Sequence, residues 1–70
     1  GKGELETAGP DLRFAAAVAT FGMLLRDSDH KGEATYANVI DLAQSGKGQD
    51  KFGYRSEFIN LVRNARAIAG

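Results

Sequence analysis

Few residues in this 70-residue sequence could carry chemistry, and they are scattered. His30, the single histidine, stands between Asp29 and Lys31, where an imidazole could ligate a metal or act as a general base near neutral pH. Either role needs further donors, and there is no second histidine and no cysteine to supply them, so His30 reads as a solvated loop side chain. The same loop invites a calcium comparison, because Asp27, Asp29 and Gly32 fall on positions one, three and six of an EF-hand loop. Position five would be Lys31 and position twelve Asn38, in place of the bidentate Glu that a hard cation requires. Gly46-Lys47-Gly48 lacks both the preceding strand and the spacing of a phosphate-binding loop. Ser28, Ser45 and Ser56 have no base within credible reach other than His30, so a serine nucleophile is unsupported. The expectation is a chain that is not an enzyme and holds neither metal nor cofactor.

The nearest thing to a basic patch is Arg55, Arg63 and Arg66, with Ile59 between them, along one flank of the last helical segment. Such a flank could serve as a DNA-recognition helix. Glu57, Asn60 and Asn64 dilute it, and nine basic residues balance nine acidic ones. A solvated face whose arginine stems cover the core edge is therefore preferred, and nucleic-acid binding is kept as the alternative. Residues 1–35 carry four basic and six acidic side chains and residues 36–70 five and three, too mild a gradient to recruit a polyanion.

The elements behind these residues are helical. Leu12 to Arg26 is the segment around which the rest is expected to be organised. Phe14, Val18, Phe21 and Leu25 form one stripe at helical spacing, expected to face the core, while Leu12, Ala16, Ala19 and Met23 form a second stripe opposite. A helix apolar on both faces is central to a larger body or awaits a partner. Pro10 suits the first helical position, Asp11 the positive end of the helix dipole and Arg26 the negative end. The apolar run is far short of the roughly 20 residues a membrane-spanning helix needs. A second helix is expected over Tyr36–Gln44, capped by Thr35 and closed by Gly46, with Tyr36, Val39, Ile40 and Ala43 on one face. Phe52 is expected to anchor the glycine-rich connector 46–53 to the core. A last helix over Tyr54–Ala69 places Tyr54, Phe58, Leu61, Val62, Ala65 and Ile68 on a wide apolar face.

These segments predict an all-α fold, a small three-helix bundle spanning 10–70, preceded by a flexible leader over 1–9. Two short helices can cover one side of the first helix but hardly both. Leu12, Ala16, Ala19 and Met23 are therefore the candidate interaction surface, since exposed contiguous apolar patches mark contacts. A chain of this size has a marginal core and no disulfide to support it. It begins at Gly1 without a signal peptide and reads as a C-terminal piece of something longer.

Read together, LRFAAAVATFGMLLRDS (12–28), KGEATYANVIDLA (31–43) and FGYRSEFINLV (52–62) resemble the C-terminal domain of unknown function that follows a von Willebrand factor type A domain in bacterial envelope proteins. The likeness covers about Leu12 to Ile68. It implies an upstream von Willebrand domain carrying the metal-dependent adhesion site, and a lipoprotein-like setting in the cell envelope or periplasm. That metal motif is of the D-x-S-x-S type, and Asp27-Ser28-Asp29 does not match it, so no metal residue carries over. The sequence departs from the family at His30, where an aromatic is common, and at Lys51, where a proline is common. The expected function is a noncatalytic interaction or packing module, with the upstream domain of the same chain or another protein as partner.

Overall fold

The computed structural model describes residues 8–26 and 33–69, which form three helices and, among the described residues, no strand. These are α1 (Pro10–Arg26), α2 (Glu33–Ser45) and α3 (Tyr54–Ala69). The all-α class is as the periodicity requires. Residues 1–7 and the acidic loop with Asp27, Asp29, His30 and Gly32 lie outside the described residues.

At the start of α1 the Gly9 carbonyl accepts the Arg13 amide at 3.2 Å, which makes Pro10 the first helical residue. Asp11 in the first turn and Arg26 in the last both suit the dipole. α2 begins two residues before the expected cap, so Thr35 lies inside the helix rather than at its cap. Gly46 ends α2, its amide reaching the carbonyls of Leu42 and Ala43 at 3.1 and 3.2 Å. It does so without a positive φ; among the described residues the left-handed glycines are Gly48 and Gly53.

α2 is the middle element. It packs against both other helices, whereas α1 and α3 approach each other chiefly through three rings. Tyr36, Val39, Ile40 and Ala43 are all buried, as their spacing predicts, together with Ala17, Phe21 and Leu24 from α1 and Ile59 and Val62 from α3. Each large side chain so buried contributes about 1.5 to 3 kcal/mol relative to its exposed state. Phe58 stands edge-on to Phe14 at 5.3 Å and to Phe21 at 5.6 Å, and so joins α3 to α1.

The packing turns α1 away from the expected stripe. Of that stripe Phe21 is buried and Phe14 packs against the core, but Val18 and Leu25 are exposed, and Ala17 and Leu24 face inward in their place. The reason is close backbone approach. A Cβ on Gly46 would lie 2.5 Å from both the Phe14 nitrogen and the Pro10 oxygen, so the end of α2 rests directly on the first turns of α1. Ala17 and Ala43, each without exposed surface, keep large side chains out of the same seam. On α3, Ile59 and Val62 rather than the middle of the apolar arc face α2, which leaves Leu61 and Ile68 exposed. The Cα atoms span 30 × 30 × 16 Å, a thin slab rather than a ball, and among the described residues no helix lies over the side of α1 that carries Leu12, Val18, Met23 and Leu25.

Candidate interaction surface

The polar residues that sequence reading singled out are used by the fold to close its own ends. α2 has no basic residue in its last turn. Its free carbonyls receive two guanidinium groups from neighbouring helices instead. Arg13 donates from Nη2 to the Ser45 carbonyl at 2.8 Å and from Nε to the Ser45 hydroxyl at 3.2 Å, while Nη1 donates to the Ala8 carbonyl. Arg55 donates to the Gly46 carbonyl at 2.7 Å and pairs with Asp11 at 2.7 Å, its guanidinium lying 4.9 Å from the Phe14 ring centre.

The first turn of α3 is capped from a distance. The Asp50 carboxylate accepts the amides of Arg55 and Ser56, each at 2.9 Å, and the Ser56 hydroxyl at 2.6 Å. Asp50 itself adopts a φ of 49°, and the next turn closes where its carbonyl accepts the Gly53 amide at 3.0 Å. The hydrogen bond from the Ser56 hydroxyl is the main cause holding its carboxyl below the usual range; partial desolvation works against it, and the two backbone amides and the nearby Lys47 charge reinforce it. Phe52, expected to anchor this connector, is exposed and stacks at 6.1 Å on the equally exposed Tyr54, with Lys51 over its ring. Asp50 performs the anchoring that Phe52 was expected to perform.

These placements break up the basic flank. Ile59 is 3% exposed and belongs to the core, because the line from Arg55 through Ile59 runs along the edge of α3 that meets α2. Arg55 is committed to Gly46, Asp11 and Phe14. Arg63 is exposed and donates to the Asn60 side chain at 3.4 Å, and Arg66 is half-buried. The four residues do not make a continuous cationic surface.

The apolar stripe is different. Leu12 and Met23 are 60% and 66% exposed, Ala19 is exposed and Ala16 is half-buried at the margin. Ala15, Val18, Gly22 and Leu25 join them on the outside. Between Asp11 and Arg26, every residue of α1 that solvent reaches freely is uncharged and apolar. The two polar side chains in that stretch are accounted for: Arg13 bonds to α2, and the Thr20 hydroxyl donates to the Ala16 carbonyl at 2.8 Å. Sequence reading found half of this face. The signal for the rest was the lack of any charge from Phe14 to Leu25, which makes the helix apolar all round rather than along two separate stripes.

Among the described residues, no group of three histidine, cysteine or acidic side chains is placed to hold a metal ion, and no helix is long and apolar enough to cross a membrane.

Residues 2–68 match the family model described as the C-terminal part of the uncharacterized protein YfbK. Over 58 residues the chain is 41% identical to the uncharacterized protein YfbK of Escherichia coli (strain K12), an alignment that covers 83% of this chain and 10% of that protein. The chain thus spans about a tenth of the length of the relative it matches. No solved structure shows a significant match to it.

Proposed function

Starting from the family of YfbK C-terminal segments, to which this chain belongs, we propose that it is a noncatalytic helical interaction module carried by a longer protein. Its working surface is the outer face of α1. The observation that carries this reading is the absence of charge among the exposed residues of α1 between Asp11 and Arg26, a run of about 20 Å at 1.5 Å per residue. Water-facing helix surfaces ordinarily carry charge, and an uncharged one of this length is a contact surface awaiting its other half. The noncatalytic part rests on how the polar groups are used: Arg13, Arg55 and Asp50 tie helix ends together rather than converging on a cleft.

The resemblance to segments that follow a von Willebrand factor type A domain names two kinds of neighbour, that upstream domain in the same chain or another protein. The cell envelope or periplasm is the setting proposed with it, on that resemblance alone. Nucleic-acid binding through Arg55, Arg63 and Arg66 has less behind it, because Arg55 is turned into the fold.

Calorimetry with the upstream portion of the parent protein, added in trans to this chain, tests the proposal alongside a Met23→Glu variant. Binding, or self-association, that the variant loses while its helical circular dichroism persists is the expected result. If the variant associates as the unaltered chain does, with every partner offered, α1 is not the working surface.

A further inference from the structure

The outer face of α1 matches itself. About the level midway between Val18 and Ala19 the face reads alike in both directions, with Asp11 answering Arg26, Leu12 answering Leu25 and Ala15 answering Gly22. All eight of these residues are exposed. We infer, taking the outer face of α1 as the working surface proposed above, that its occupant is a second copy of the same helix, packed antiparallel about a two-fold axis that passes between the two helices at this level.

Each pairing is chemically sensible. At both ends a carboxylate meets a guanidinium, since Asp11 of one copy faces Arg26 of the other, and the Asp11 side chain, 88% exposed, remains open to a second partner beside Arg55. One residue further in, Leu12 of one copy stands level with Leu25 of the other. Nearer the axis small residues face each other, Ala15 against Gly22 and Ala19 against Val18, which lets the two helix axes come as close as about 8 Å. Isologous two-fold contacts have this property, that one patch supplies both sides. The formal net charge of zero means that two copies do not repel each other as wholes.

Gly22 supplies an independent argument. It lies in the interior of α1, where glycine weakens a helix relative to alanine. Nothing among the described residues of its own chain requires it: a Cβ there would meet none of their atoms within 4 Å, and its φ is not positive. Gly46, by contrast, is pressed against backbone. A glycine without a reason inside one copy acquires one when the Ala15 turn of another copy rests on it. The pairing also puts α1 at the centre, between its own α2 and the second copy, and so covers the bare side of the slab. In a longer parent it would tether two chains through their terminal segments.

Sedimentation equilibrium of the 70-residue chain, from about 10 µM to about 1 mM, reads the association directly, a range suited to a single helix pair smaller than a standard interface. The expected result is a mass rising toward that of two chains. Gly22→Leu, which puts bulk at the closest approach, weakens association at least tenfold with helicity unchanged. Arg26→Glu weakens it as well, and adding Asp11→Lys to that variant restores it. Direction is read by cross-linking, for which the chain offers a cysteine-free background. A mixture of the Ala15→Cys and Gly22→Cys chains oxidises to a mixed dimer, whereas Ala15→Cys alone does not. A folded chain that stays monomeric to 1 mM overturns the inference, as does association that ignores Gly22→Leu or an Ala15→Cys chain that cross-links to itself. If that monomer still binds the upstream portion of its parent in a manner sensitive to Met23→Glu, only the occupant is wrong and the interaction module stands. If it binds neither, both fall.

Discussion

Arg55 reaches back from the first turn of α3 to the carbonyl of Gly46, the residue that ends α2, with a 2.7 Å hydrogen bond. The same guanidinium pairs with Asp11 and lies on Phe14, so one side chain touches the ends of all three helices. α2 lacks a cation of its own at its negative end, and Arg55 and Arg13 bring theirs from elsewhere.

Replacing Arg55 by Ala should therefore lower stability by about 2 kcal/mol, the sum expected for a charged hydrogen bond to a carbonyl and a cation–π contact at a partly exposed site. In a domain of this size that is a fall in Tm of roughly 8 to 16 °C. Arg55→Lys should recover less than half, because an ammonium cannot reach Gly46 and Asp11 together. Asp11→Asn should cost under about 0.5 kcal/mol, since its carboxylate is almost fully exposed. Thermal melts followed by circular dichroism would measure all three, and a lysine variant as stable as the original would show that only charge matters here.

Two glycines should answer the same substitution with opposite signs. An alanine at Gly46 places its Cβ at 2.5 Å from main-chain atoms of Phe14 and Pro10, which cannot rotate away, so α1 and α2 must separate. Overpacking of this kind costs about 1 to 3 kcal/mol, and the upper half of that range is expected. Gly22→Ala meets nothing and improves helix propensity, so it should stabilise the single chain by about 0.5 to 1 kcal/mol. Urea unfolding of both variants at low protein concentration decides the matter; equal signs would contradict the close approach at Gly46.

What the sequence made legible follows from how local each feature is. α3 begins and ends where its period says, and the face Tyr36, Val39, Ile40 and Ala43 is buried in full, because each rests on spacing within one helix. The rotation of α1 was hidden. Phe14, Val18, Phe21 and Leu25 look more like a core than Ala17 and Leu24 do, and only the contact of Gly46 with the α1 backbone, more than 30 residues away in sequence, decides between them. Arg55 was legible as a cation on a helix flank but not as a link to Gly46 and Asp11, since that depends on three helix ends meeting. On the candidate surface, Leu12, Ala19 and Met23 were readable as apolar positions opposite a core stripe, while Val18 and Leu25 were assigned inward by the same argument and lie outside.

Phe58 is the main side-chain link between α1 and α3, and its removal should loosen that pair more than it loosens α2. Truncation to Ala should cost about 2 to 3 kcal/mol, below the full range for a phenylalanine because the ring is only half-buried. Phe58→Leu keeps most of the apolar area and forfeits the edge-to-face geometry with Phe14 and Phe21, a loss of about 0.5 to 1.5 kcal/mol. Hydrogen exchange should show amides of α3 opening before those of α2. Uniform exchange in the two helices, with a stability change near zero, would mean that the three rings are neighbours without holding anything.

Asp50 gives the acid limb of stability a direction. Its carboxyl is held below the ordinary range, first by the Ser56 hydroxyl and then by the Arg55 and Ser56 amides and the Lys47 charge, against a smaller desolvation effect. A group whose folded pKa lies below its unfolded value of about 3.9 favours folding at pH above that value, and its contribution disappears as pH falls through the folded pKa. Stability should therefore decline below about pH 4 as the cap of α3 is protonated. Asp50→Asn isolates the charge, because asparagine also tolerates the positive φ of 49° found there. The variant should be less stable at pH 7, where the carboxylate would be ionised, and its urea midpoint should change less between pH 7 and pH 3 than that of the unaltered chain. Parallel pH profiles for the two proteins would show that the carboxylate at position 50 is a bystander and that the first turn of α3 is held by Arg55 and the core alone.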